Sequence, residues 1–164
     1  MKIILIGLTA ALISVASFAM NNGHNMDHGG QHIQFKRIES NGITLSNFQA
    51  RASIGRTKNS GIYGEIRAVK PDRLIGVSTS FASVAELHEH INDNGVMRMR
   101  EVGGGLAINP GWPMIMKPGG YHIMLMGLHE RLMAGKLIDL KLEFESGQIL
   151  DISVPVVSIT TMHH

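Results

Sequence analysis

At 164 residues the chain is long enough for one domain with a hydrophobic core of its own, and with no cysteine it has neither disulfides nor thiolates to use. Its net charge of +2, with no basic cluster interleaved with aromatics, argues against nucleic acid as a partner. The missing thiolate also excludes blue-copper electron transfer, which needs one.

The chain opens on Met1-Lys2, an uncharged apolar run from Ile3 to Phe18, and Ser17-Phe18-Ala19 as a small-x-small cleavage motif. This is the layout of a secretory signal over residues 1–19, with cleavage expected after Ala19. The run falls short of the ~20 residues of a spanning helix. The mature protein is therefore expected in the periplasm or otherwise outside the cytoplasm, meeting a membrane only through a partner or an uncleaved signal.

Residues 20–41 are expected to be a flexible segment. Their first part is polar, glycine-rich and without apolar periodicity, and it carries His24, Met26, His28 and His32. The tail at 160–164 repeats that composition with Met162, His163 and His164. Imidazole and backbone donors in mobile segments suit Cu(II), which makes both tails candidates for auxiliary copper capture.

Residues 42–159 read as a single all-β domain. Short apolar runs at 43–51, 61–69, 73–79, 136–144 and 148–154 are separated by turn chemistry at 56–60, Lys70-Pro71-Asp72 and Glu145-Ser146-Gly147. No segment sustains a helical period. Many short strands with a turn every eight to twelve residues predict a sandwich or barrel, Greek-key in connection.

The chemistry lies between Glu86 and Leu128, where Leu87-His88-Glu89-His90, Val96-Met97-Arg98-Met99-Arg100 and Tyr121-His122-Ile123-Met124-Leu125-Met126 alternate donor and non-donor side chains. Asn92-Asp93-Asn94-Gly95 and Lys117-Pro118-Gly119-Gly120 supply the turns. On a strand, positions i and i+2 share a face about 6.6 Å apart, so His122, Met124 and Met126 project together while Ile123 and Leu125 point into the core. A flexible methionine can close that gap, and His122 and Met124 can then share an ion. A lone histidine or methionine is usually a surface or packing residue, but seven donors on repeated i,i+2 faces are a different matter: His88, His90, Met97, Met99, His122, Met124 and Met126. Imidazole with neutral thioether argues for copper, as Cu(I), before zinc. Met114 and Met116 alternate as well, but beside Trp112 and Pro113 they read as core or rim packing.

Glu86-Leu87-His88-Glu89, Gly95-Val96-Met97-Arg98-Met99-Arg100 and above all the run from Lys117 to Leu128 resemble the periplasmic copper chaperone family PCuAC. The resemblance spans residues 42–157 and is sharpest over 84–128. It implies a cupredoxin-like Greek-key β-sandwich. It also implies a Cu(I) ligand set of His88, Met99, His122 and Met124. His90, Met97 and Met126 stand beside that set without being needed by the pattern, His90 either as an outer hydrogen-bonding partner or as an alternative ligand. The implied activity is to carry Cu(I) outside the cytoplasm and pass it to a copper-accepting protein, such as the CuA-bearing subunit of cytochrome c oxidase or another copper chaperone. Passive sequestration for copper tolerance uses the same ligands, and a copper redox enzyme is the remaining rival. No His-Asp-Ser grouping stands out, so no catalytic residue is expected.

Overall fold

A computed structural model describes residues 33–158, all of it strands and connections. The signal region, the tract of His24, Met26, His28 and His32, and Met162, His163 and His164 lie outside the described residues. Eleven strands follow in chain order: β1 (Ile38–Ser40), β2 (Ile43–Arg51), β3 (Asn59–Ala68), β4 (Asp72–Ser78), β5 (Ala82–Asp93), β6 (Val96–Glu101), β7 (Leu106–Ile108), β8 (Met114–Met116), β9 (His122–Leu128), β10 (Leu137–Phe144) and β11 (Ile149–Val157). Strand structure thus begins at Ile38, ahead of the expected boundary at residue 42, because β1 pairs with β2.

The strands form two layers. One holds β6, β5, β9, β3 and β2 in that order, with β8 on β3 and β1 on β2; the other holds β10, β4 and β7. β11 belongs to both: its residues up to Pro155 pair antiparallel with β10, while Val156 and Val157 pair parallel with Ala50 and Arg51 of β2. Proline cannot donate to a ladder, so Pro155 sits where the strand changes partner. Non-consecutive neighbours, such as β9 between β3 and β5, make the connections Greek-key in kind. The fold is the expected all-β sandwich.

Both inner faces contribute to one core. Leu45, Phe48, Ile62, Ile66, Ile123 and Leu125 meet Leu74, Ile108, Leu140, Leu142 and Val154, all buried. Strand β2 explains an irregularity in the pattern: Ile43 and Leu45 alternate inward, and then Phe48 and Ala50 do, one step out of phase. A bulge between Ser46 and Gln49, with Asn47 at φ 56°, absorbs the extra residue and keeps both pairs on the core side. Met114 and Met116 are buried in β8, as packing residues.

Candidate metal centre

β5 runs between β6 and β9, and its registers with them decide which side chains meet. His88 faces His122 and Glu86 faces Met124 across one ladder. His90 faces Met99 and Asn92 faces Met97 across the other. Directly opposed residues share a face. Glu86, His88, His90, Met97, Met99, His122, Met124 and Met126 therefore lie on one face, while Leu87, Ile123 and Leu125 enter the core from the other.

Two turns set these registers. Asn94 and Gly95 have φ of 53° and 87°, and Asp93 pairs with Val96, which makes a two-residue hairpin of the kind Asn-Gly favours. The Gly95 N–H also donates to Asn92 Oδ1 at 2.7 Å. Before β9, the Lys117 N–H donates to the Tyr121 carbonyl at 2.8 Å and the Gly120 N–H to the Lys117 carbonyl at 3.0 Å. That turn aims the Gly120 carbonyl at the site, where it accepts from the His90 N–H at 3.3 Å and from His122 Nδ1 at 3.0 Å.

His122 is only 2% exposed. The rings of His90, His88 and Tyr63 surround it, with centroids 5.0, 5.9 and 6.2 Å away. A carbonyl oxygen only accepts, so the Gly120 bond places the ring hydrogen on Nδ1 and leaves Nε2 bare. Nε2 stands 3.3 Å from Met99 Sδ. Neither atom has a hydrogen to give the other: two lone-pair donors are held side by side on neighbours of β5. Burial holds the His122 pKa below its ordinary 6.5; His90, His88 and Arg51 push it the same way, and the Gly120 hydrogen bond opposes. The ring is therefore neutral and ready to donate at neutral pH.

His88 Nε2 lies 2.9 Å from Glu86 Oε2, while His88 Nδ1 and His90 Nδ1 are buried without a hydrogen-bond partner. An orphaned buried polar atom costs about 1–3 kcal/mol. His129, away from this face, shows the ordinary arrangement: Nδ1 meets the Ser80 carbonyl at 3.0 Å and Nε2 the Ser83 hydroxyl at 3.3 Å. Among the described residues no group of three or more His, Asp or Glu side chains converges as a metal cage. Met99 sulfur beside the bare His122 nitrogen offers a mixed thioether–imidazole pair, which fits a soft ion such as Cu(I) better than a hard one.

Comparison with known proteins places this geometry. The LpqE-like family model, described as "Putative lipoprotein LpqE-like", matches residues 43–156. The chain belongs to the LpqE-like family. A relative from Leifsonia xyli subsp. xyli, named "Putative lipoprotein Lxx21020", is 33% identical over 153 residues, covering 93% of this chain and 84% of its own. Among solved structures, the copper-bound PCuAC domain from PmoF2 superposes with a TM-score of 0.62 at 21% identity, covering 75% of this chain and 98% of that one. CuI-DR1885 from Deinococcus radiodurans gives 0.56 at 22% identity, covering 79% and 83%. The LpqE-like chain thus has the PCuAC fold, in agreement with the resemblance carried by its motifs.

In this LpqE-like domain His88, His90, Met99 and His122 are brought into one cluster. Met124 lies on the same face, half-buried, between Glu86 on β5 and Gly61 on β3. Met126 is the next same-face residue along β9, and Met97 stands at the sheet edge, 59% exposed. Three contributors were not singled out from sequence. Glu86 bonds His88, and its position two residues before His88 on an alternating strand was the available signal. The Gly120 carbonyl and Tyr63 gave none, since a backbone atom and a residue of a distant strand carry no local pattern. Tyr63 reaches back over Gly61, where an added Cβ would lie 2.9 Å from the Tyr63 hydroxyl. A cleft of about 750 Å³ lined by Asn41, Val69, Lys70, Asp72 and Gln148 among others shares no residue with this face.

Proposed function

We propose that the protein is an extracytoplasmic Cu(I) carrier, with His88, Met99, His122 and Met124 as its ligands. The observation that carries this reading is the bare His122 Nε2 facing Met99 Sδ at 3.3 Å, beside a second imidazole with an unpartnered nitrogen. The shared fold of copper-bound PmoF2 and CuI-DR1885 domains supports it. The signal-like N terminus and the lipoprotein description of the family support export. His24, Met26, His28, His32, Met162, His163 and His164 fit an auxiliary capture role for Cu(II).

Neutral imidazole and thioether ligands add no negative charge to the bound ion, and an acceptor bearing thiolates displaces them one at a time. Met99, 47% exposed on edge strand β6, is the ligand an acceptor reaches first, whereas His122 is buried. A CuA-bearing oxidase subunit is one acceptor of suitable chemistry. This is a carrier's role and not an enzyme's.

The test is twofold. In competition against a Cu(I) chelator, a folded Met99→Leu or His122→Ala variant should lose affinity by about tenfold or more; unchanged affinity removes the site. Titration of the Cu(I)-loaded protein with a purified CuA domain should move the metal to the acceptor. Retention against an acceptor of higher affinity would favour sequestration.

A further inference from the structure

Glu86 and His88 alternate on β5 and share the metal-facing side, with Glu86 across from Met124 and His88 across from His122. The Glu86 side chain is 32% exposed and that of His88 13%, so their 2.9 Å contact is a sheltered one. A carboxylate offers lone pairs and no hydrogen, so the shared hydrogen belongs to His88 Nε2. The consequence falls on the other nitrogen: Nδ1 is left bare, and it is buried with no partner. His122 is fixed in the opposite sense, with Nδ1–H held by the Gly120 carbonyl and Nε2 bare. Met124 occupies the position facing Glu86 on β9, and the Glu86 carboxylate is engaged with the His88 ring.

We propose that Glu86 is a positioning residue for the copper site: it pins the His88 ring so that His88 binds metal through Nδ1, while His122 binds through Nε2. The inference rests on the copper reading of this face, but one arm of its test needs no metal. In metal-free protein with nitrogen-15-labelled histidine, His88 should show a hydrogen on Nε2 that exchanges slowly with solvent. That protection should vanish in Glu86→Ala and persist in Glu86→Gln, whose amide oxygen still accepts. On adding Cu(I), the nitrogen shift should fall on Nδ1 of His88 and on Nε2 of His122. Glu86→Ala should weaken Cu(I) binding about 10- to 100-fold, as outer hydrogen-bond partners of metal ligands do. In a His88→Ala background the same change should have no further effect. A Cu(I) shift on His88 Nε2, or an unprotected Nε2 hydrogen in the wild type, overturns the assignment. A full Glu86→Ala loss in the His88→Ala background overturns it too, making the carboxylate a ligand itself. Failure of the wild type to bind Cu(I) sinks the carrier reading, whereas the metal-free protection of the His88 Nε2 hydrogen is read without copper, so the two failures are distinguishable.

Discussion

At the scale of single residues, the site separates two kinds of donor by where their hydrogens sit. His122 Nε2 is bare because a carbonyl holds the opposite nitrogen, and Met99 sulfur never carries a hydrogen. The depressed pKa of His122 gives a pH dependence whose sign is fixed. As pH falls through about 6.5, the unfolded chain takes up this proton before the folded one does, so it binds more protons and stability falls with it. The metal-free protein should therefore have a lower urea midpoint at pH 5 than at pH 7.5, and His122→Gln should reduce that difference. Equal midpoints in the wild type would mean that His122 protonates alike in both states. A second prediction weighs the two histidines of β5. His88→Ala should lower Cu(I) affinity more than His90→Ala, although the His90 ring is the nearer to His122. The reverse order, measured by chelator competition, transfers the ligand role to His90.

At the scale of elements, three strands and two turns make the site. The Asn94-Gly95 hairpin holds Met99 opposite His90, and a one-residue slip would turn Met99 to the other face. An added Cβ at Gly95 meets open space, so Gly95→Ala tests backbone conformation alone at φ 87°. It should cost about 1–2 kcal/mol and weaken Cu(I) binding, read as a lower unfolding midpoint together with a shifted chelator titration. Gly64 is a packing case: its Cβ would lie 2.6 Å from the Phe48 ring. Gly64→Ala should destabilise by about 1–3 kcal/mol, measured by urea unfolding. An unchanged midpoint would mean that the Phe48 ring can move aside without loss. The hairpin could be read from four residues in sequence, whereas the β2 bulge at Asn47 could be found only with β3 alongside.

At the scale of the whole molecule, the described domain carries the entire β5–β6–β9 face. A protein of residues 33–158 should therefore keep the Cu(I) affinity of the longer chain while losing Cu(II) held by the tail histidines. Loss of Cu(I) binding on truncation would place tail residues in the primary site. Sequence alone determined the class of fold, because period-2 alternation and turn chemistry are local properties written into consecutive residues. It also determined which residues are donors, since His122, Met124 and Met126 share a face in any strand of that register. Which donors meet was settled by tertiary structure. The registers of β5 with β6 and β9 put Met99 against His122 and leave Met97 at the edge. The Glu86 bond, the doubly used Gly120 carbonyl and the cover by Tyr63 depend on ring orientation, on a backbone atom and on a strand distant in sequence. Pairing between strands is non-local, so a pattern within one strand can say which way a side chain points but not what stands opposite it.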